Sequence, residues 1–298
     1  MEYITDLSQL NICRPTAVTL GKFDGIHRGH DSLIKEAVEG KERGLIPCAF
    51  VMDGSEHHLL TKEERLERLE KAGIELVIEL PLSDEFKQQS AEAFVINVLW
   101  EKLKAAEIIV GENYAFGRGR RGNPALLREM GEEMGIRTMA MPLVVYQDKK
   151  ISSSVIKEAL EKGDMAFVNA CLGYDFFVRG TVVHGNHLGR TMNVPTTNIV
   201  PAEEKILPPN GVYASRVLMG DKVYYGMTNI GFKPTVNGSC KGVETNLFDC
   251  DGDFYGQEQQ VELLCHTRPE QRFENIQALQ ERLDKDRIEV KEWLTAHI

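Results

Sequence analysis

From residue 17 to about 144, short apolar runs alternate with stretches whose apolar residues recur at helical spacing. AVTL, PCAFVM, ELVIEL and EIIVG read as strands. The segments after them, Leu33 to Val38, Thr61 to Lys71, Ala91 to Lys104 and Pro124 to Met134, read as helices, and IRTMAMPLVV closes the series. Strands separated by helices in this way predict βαβ units on a parallel sheet. Thr61 with Glu64, in TKEE, is a capping box that fixes one helix start. Ligands of such a sheet bind outside the carboxyl ends of its strands, where the turns GKFDGIHRGH and VGENYAFG both fall.

After residue 172 the pattern changes. FFVRGTVVHG, GVYASRVLMG, KVYYGMTNIG, VETNLFDC and QQVELLCH are β-rich runs with Gly220-Asp221 and Asp251-Gly252 as turn signals, which predicts a small antiparallel barrel. Phe273, Ile276, Leu279, Leu283, Val290 and Leu294 then recur at helical spacing, a stripe expected to pack on that barrel as one closing helix. Between the halves, Ser154 to Lys162 and Met165 to Leu172 read as two short helices broken at Gly163-Asp164. The division is drawn at residues 1–168 and 169–298, since 298 residues exceed a typical single core.

Composition narrows the function classes. With 42% hydrophobic and 27% charged residues the chain is an ordinary globular one, and its net charge of −10 disfavours nucleic acid or an anionic membrane as partner. A phosphate site must therefore be locally basic, and Arg118, Arg120 and Arg121 supply one such island. The six cysteines lie scattered without CxxC or zinc spacing, the expectation being buried free thiols in a reducing compartment. MEYITDLSQL has no signal-peptide pattern and no run reaches the ~18 apolar residues of a membrane span, so a cytoplasmic protein is expected. The oligomeric state is not legible.

The most informative segment is VTLGKFDGIHRGH, Val18 to His30, which sets an apolar strand, a glycine turn and two histidines directly before a helix. The free N–H groups of a helix's first turn favour an anion. Gly21, Gly25 and Gly29 allow close backbone approach, and His27 and His30 can donate protons toward phosphate oxygens. The P-loop spacing GxxxxGK[ST] is missing, and two histidines without a Walker lysine suit reaction at a nucleotide α-phosphate.

HxGH resembles the nucleotidyltransferase superfamily, and the fuller GxFDGxHxGH, which includes Phe23 and Asp24, resembles its flavin branch, the bifunctional riboflavin kinases and FAD synthetases. The resemblance implies a Rossmann-like nucleotidyltransferase domain followed by a β-barrel. VGENYAFGRGRRGN resembles that branch's VGxDFxFGxxRxG, with Asn113 where Asp or Asn is accepted and Arg120 in the basic run, and ISSSVIK resembles ISSTxIR. Asn113 can bond nucleotide oxygens, while Ser153, Ser154 and Lys157 can hold the α-phosphate and leaving pyrophosphate at a helix start. Two departures stand out: Phe50 is followed by Val51-Met52-Asp53-Gly54 instead of the family's FxPHP, and Lys157 replaces an arginine.

The second half resembles riboflavin kinase over nearly its whole length. VVHGNHLGRTMNVPTTNI resembles GxVxxGxxxGRxxGFPTANI, with Asn193 in place of a glycine. His184 to Arg190, with Gly185 and Gly189, is a loop whose amides can wrap phosphates beside Arg190. By resemblance Thr196 and Asn198 are the Mg²⁺ and nucleotide residues, and Glu244, in GVETNLFD, is the general base, with Asn246 where the family carries histidine. The function implied is phosphorylation of riboflavin to FMN and adenylylation of FMN to FAD, each with Mg-ATP. Two alternatives are a kinase with a degenerate first domain and a flavin-sensing protein without turnover.

Overall fold

In the computed structural model, which describes residues 1–52, 54–81, 83–184, 196–235, 238–250 and 252–298, the first half of the chain contains six sheet strands. These are β1 (Glu2–Ile4), β2 (Thr16–Gly21), β3 (Ile46–Val51), β4 (Leu76–Glu79), β5 (Ala105–Gly111) and β6 (Arg137–Met141). They pair throughout in parallel, in the order β1-β4-β3-β2-β5-β6. Five of the six residues of β2 are buried, as expected for a central strand covered on both faces. Strand order reverses between β2 and β5, so the loops after these two strands open at the switch point where ligands bind.

The helices of this half are α1 (Arg28–Glu39), α2 (Lys62–Lys71), α3 (Asp84–Gln88), α4 (Ala91–Phe94) and α5 (Pro124–Met134). Thr61 and Glu64 form the reciprocal capping box at the start of α2. The helix read from Ala91 to Lys104 divides into α4 and a π-helical turn, Val95–Trp100, and ends where Lys104 takes φ +47. Its apolar periodicity could not distinguish the two windings. Strand β1, helix α3 and a hairpin of β7 (Val145–Tyr146) and β8 (Lys149–Lys150) are too short to give a periodic signal.

The chain separates into two compact units, Met1–Ser153 and Ser154–Ile298. The paired short helices are α6 (Ser153–Glu161) and α7 (Met165–Leu172), parted by Gly163 at φ +73 and by Asp164, whose carboxylate accepts from the Phe167 N–H at 3.1 Å. The sequence boundary at 168/169 therefore falls inside α7.

The second unit carries β9 (Phe177–Thr181), β10 (Thr196–Ile199), β11 (Gly211–Met219), β12 (Lys222–Thr235), β13 (Gly238–Leu247) and β14 (Glu258–Pro269), all antiparallel in the order β10-β13-β12-β11-β14-β9. The sheet curls until the Val183 N–H, just past β9, donates to the Asn198 carbonyl on β10 at 2.8 Å, so its two edges meet. The closing helix, α8 (Ile276–His297), packs Val290 and Leu294 against Val212, Ala214, Met227 and Phe248. The expected stripe needs correction at its start, because Phe273 precedes the helix and Ile276 is 70% exposed. In place of further apolar contact, α8 buries Asp286 (1% exposed), which accepts from Arg268 Nε at 2.8 Å and Nη2 at 2.6 Å and from Arg282 Nε at 2.8 Å. The cysteine expectation also needs correction: Cys48 and Cys171 are buried, but Cys13 is exposed and Cys250 and Cys265 are half-buried.

Candidate functional site

The turn between β2 and α1 is wound tightly. Phe23, Gly25 and Ile26 take φ of +52, +88 and +37, a concentration of left-handed backbone that costs on the order of 1–3 kcal/mol at each non-glycine residue. Burial holds it in place. Phe23 is fully buried, and Asp24, 2% exposed, accepts the Leu59 N–H on Oδ1 at 2.8 Å while its carbonyl accepts the Ser153 hydroxyl at 2.7 Å. Phe23, Asp24 and Ser153 thus bind the turn to its surroundings, and Gly21, at the end of β2, leads into it.

That winding delivers His27 to the helix start as N-cap, where its Nδ1 accepts the Gly29 N–H at 3.1 Å. An imidazole that accepts on Nδ1 carries its proton on Nε2, so the free edge of the ring is a donor. His30 stacks on it with ring centroids 3.8 Å apart and planes 17° from parallel. Burial lowers the His27 pKa to about 4, against weaker raising contributions from its own backbone and Asp24. Burial, and then the neighbouring His27, push His30 well below the ordinary histidine value. Both rings are therefore neutral donors at physiological pH. The Nδ1 of His30 is buried and hydrogen-bonded to nothing among the described residues.

The loop after β5 contributes the second wall. Asn113 is exposed just past the strand, and Arg118, Arg120 and Arg121 are exposed beyond it, Arg120 at φ +57. Phe116 and Gly117 of this loop, with Met52, Phe86, Lys87, Gln89 and Phe94, line a cavity of about 180 Å³. Gly117 is required there: its φ is +69, and a Cβ would lie 2.7 Å from the Ala91 backbone. Phe116 and Gly117 belong to the VGENYAFG segment and Met52 to the departure after Phe50, but Phe86, Lys87, Gln89 and Phe94 were not singled out from sequence. Phe86 and Lys87 lie in a stretch whose one short helix gave no pattern, and Phe94 lies within the expected helix from Ala91 to Lys104.

Ser154 is exposed and Lys157 half-buried on α6, and both belong to the second compact unit.

On the barrel, antiparallel register assembles the second site. Thr196 lies opposite Asn246, and Asn198 opposite Glu244, which also faces Asn229 on its other side. Paired residues share a face, so Thr196, Asn198, Asn229, Glu244 and Asn246 all project from one side of the sheet. The Thr196 hydroxyl donates to Glu244 Oε1 at 2.6 Å. Asn198 and Asn246 are 7% and 2% exposed, and Glu244 is half-buried. Phe248 follows on the same side and joins the apolar cluster beneath α8, the juxtaposition of charge and aromatic that alternation anticipates. Gly185, Gly189, Arg190 and Asn193 lie outside the described residues, as does Asp53. A hydroxyl, an amide oxygen and a carboxylate on one face are the hard oxygen donors that suit Mg²⁺. No group of three or more His, Cys, Asp or Glu residues among the described residues forms a metal cluster.

The comparisons follow the same division. A riboflavin kinase family model matches residues 172–294, and an FAD synthetase family model matches residues 10–155. The chain is 33% identical to a bifunctional riboflavin kinase/FMN adenylyltransferase of Escherichia coli K12, over 93% of this chain and 92% of that protein. It is 31% identical to a Bacillus subtilis protein of the same description, over 92% and 91%. A crystal structure of a Streptococcus pneumoniae protein described as a macrolide-efflux protein superposes with a TM-score of 0.88 at 28% identity, covering 98% of each chain. In this chain, no helix among the described residues is long and apolar enough to cross a membrane. Two family models in tandem, in the order of the two sites, and relatives matched along almost their whole length establish that this chain belongs to the family of bifunctional riboflavin kinases/FMN adenylyltransferases.

Proposed function

We propose that the second unit phosphorylates riboflavin to FMN and the first adenylylates FMN to FAD, each with ATP. The observation that carries the kinase assignment is the Thr196–Asn198–Glu244 face, where a carboxylate sits within 2.6 Å of a hydroxyl of the family's nucleotide motif. Glu244 accepts the proton of the riboflavin 5′-hydroxyl as that oxygen attacks the γ-phosphorus, and ADP leaves. General-base positioning of this kind contributes ~10²–10⁴ in rate. Thr196 and Asn198 would hold Mg²⁺, which when bound neutralises charge on the ATP phosphates.

In the first unit, an FMN phosphate oxygen attacks the α-phosphorus of ATP and the bond to the bridging oxygen breaks, releasing pyrophosphate. His27 and His30, neutral, donate to the charge that develops on the phosphate oxygens, with the first-turn amides of α1 beside them. The apolar cavity lined by Met52, Phe86, Phe94 and Phe116 would take an edge of the planar flavin ring, with Lys87 on its lining as a partner for the FMN phosphate. Asn113, Arg120, Ser154 and Lys157 join this chemistry on the family signature. We place both reactions in the cytosol, on cysteines scattered without CxxC or zinc spacing as in a reducing compartment, and apart from nucleic acid, on the net charge of −10.

Purified protein given riboflavin with Mg-ATP, and separately FMN with Mg-ATP, should yield FMN and FAD on chromatography. Glu244→Gln should cut riboflavin phosphorylation by at least ~10² while FMN still becomes FAD. Near-normal phosphorylation in that variant would remove Glu244 from its role, and ATP binding without FAD from the wild type would make the first site vestigial.

A further inference from the structure

Behind the kinase face runs a row of buried hydroxyls. Ser215, Thr228 and Thr245, on β11, β12 and β13, are each 0% exposed. Ser215 Oγ lies 2.7 Å from Thr228 Oγ1, which lies 2.9 Å from Thr245 Oγ1. Ser215 also reaches the Gly226 carbonyl at 3.0 Å, and a carbonyl can only accept. Ser215 therefore donates to Gly226 and accepts from Thr228, which in turn accepts from Thr245. Every proton in the row has one direction. The row ties β11, β12 and β13 together, and on the neighbouring strand β10 the Thr197 hydroxyl donates separately to the Thr245 backbone carbonyl at 3.4 Å.

The chain neighbours of these residues are the site. Thr196 and Asn198 flank Thr197, Glu244 and Asn246 flank Thr245, and Asn229 follows Thr228. Alternation puts the hydroxyls on one face and the site residues on the other. A slip of one residue would exchange the two faces. Apolar contacts are non-directional and tolerate sliding, whereas this row of hydroxyls is satisfied in one register only.

We propose that Thr228, the middle link of the buried hydroxyl row, is a positioning residue for the kinase, holding β13 against β12 and so fixing where Glu244 projects toward Thr196 and Asn198. This rests on the kinase reading of those three residues. Thr228→Val keeps the shape and branching of the side chain while removing both of its hydroxyl contacts. Misplacement of Glu244 relative to the metal pair should lower kcat for riboflavin phosphorylation by at least about tenfold. The Mg²⁺ concentration for half-maximal rate should rise, and FMN adenylylation should stay unchanged. Thr228→Ser, which restores the oxygen, should recover most of the loss.

A Thr228→Val enzyme with wild-type kcat and Mg²⁺ dependence would overturn the proposal whatever its melting temperature, and so would a Thr228→Ser enzyme as slow as the valine variant. Should the valine variant fail to fold, Ser215→Ala removes only the terminal link, and unaltered kcat and Mg²⁺ dependence there would overturn it equally. Wild type and Glu244→Gln run beside these separate the two ideas. No FMN from wild type defeats the kinase reading itself. An active wild type, an inactive Glu244→Gln and a normal Thr228→Val defeat only the positioning role.

Discussion

His27 shows how one residue's surroundings decide its chemistry. Read from sequence, a histidine three positions before another at a helix start can be a charged phosphate clamp or a neutral donor. Burial decides for the neutral form, with the pKa lowered to about 4, and the Gly29 N–H fixes the proton on Nε2. Because the folded value lies below the unfolded 6.5, the unfolded chain takes up the proton first, so this residue lowers stability as pH falls from about 6.5 toward about 4. The same displacement predicts that the His27 ring shows no titration in NMR spectra between pH 8 and 5. A His27 midpoint near 6.5 would return it to the role of cation. The sequence located Glu244 in the same limited way: its position was legible, and its 2.6 Å contact with Thr196 was not, because that contact crosses between strands 48 residues apart.

Elements position these residues through their ends and edges. The β2–α1 turn was legible because glycines, a capping histidine and an amphipathic helix follow one another within a few residues. The aromatic cavity was not, since it forms where helix α3, helix α4 and the loop after β5 come together from separate stretches of chain. Gly117 is the point of closest approach, with positive φ and no room for a Cβ. Gly117→Ala should therefore displace the loop carrying Phe116, raising KM for FMN in adenylylation by about tenfold or more while riboflavin phosphorylation is unaffected. Steady-state kinetics of the two half-reactions check this, and an unchanged KM for FMN would take the cavity out of flavin binding.

At the scale of the whole molecule, two units with separate cores carry two reactions, and each should answer to its own mutations. Asp286 is the sharpest case, a carboxylate 1% exposed that ties α8 to β14 through Arg268. Asp286→Ala would leave that guanidinium without its carboxylate, holding only the Pro269 carbonyl, in a largely buried position, a loss of about 3–5 kcal/mol for a broken buried pair. Calorimetry should show a lowered transition for the barrel unit and FMN adenylylation retained at moderate temperature; simultaneous loss of both activities would contradict the separation. The sequence by itself determined the α/β-then-barrel order, the capping box and the β2–α1 turn, because periodicity and capping act between near neighbours in the chain, while the two chemistries came from the resemblance of its motifs to a known family. Only the tertiary structure decided that Asp286 rather than Ile276 faces the barrel, that Asp24 and Ser153 brace the histidine turn, and that a row of hydroxyls underlies Glu244. Those outcomes depend on burial and strand register, which are set by partners dozens of residues away.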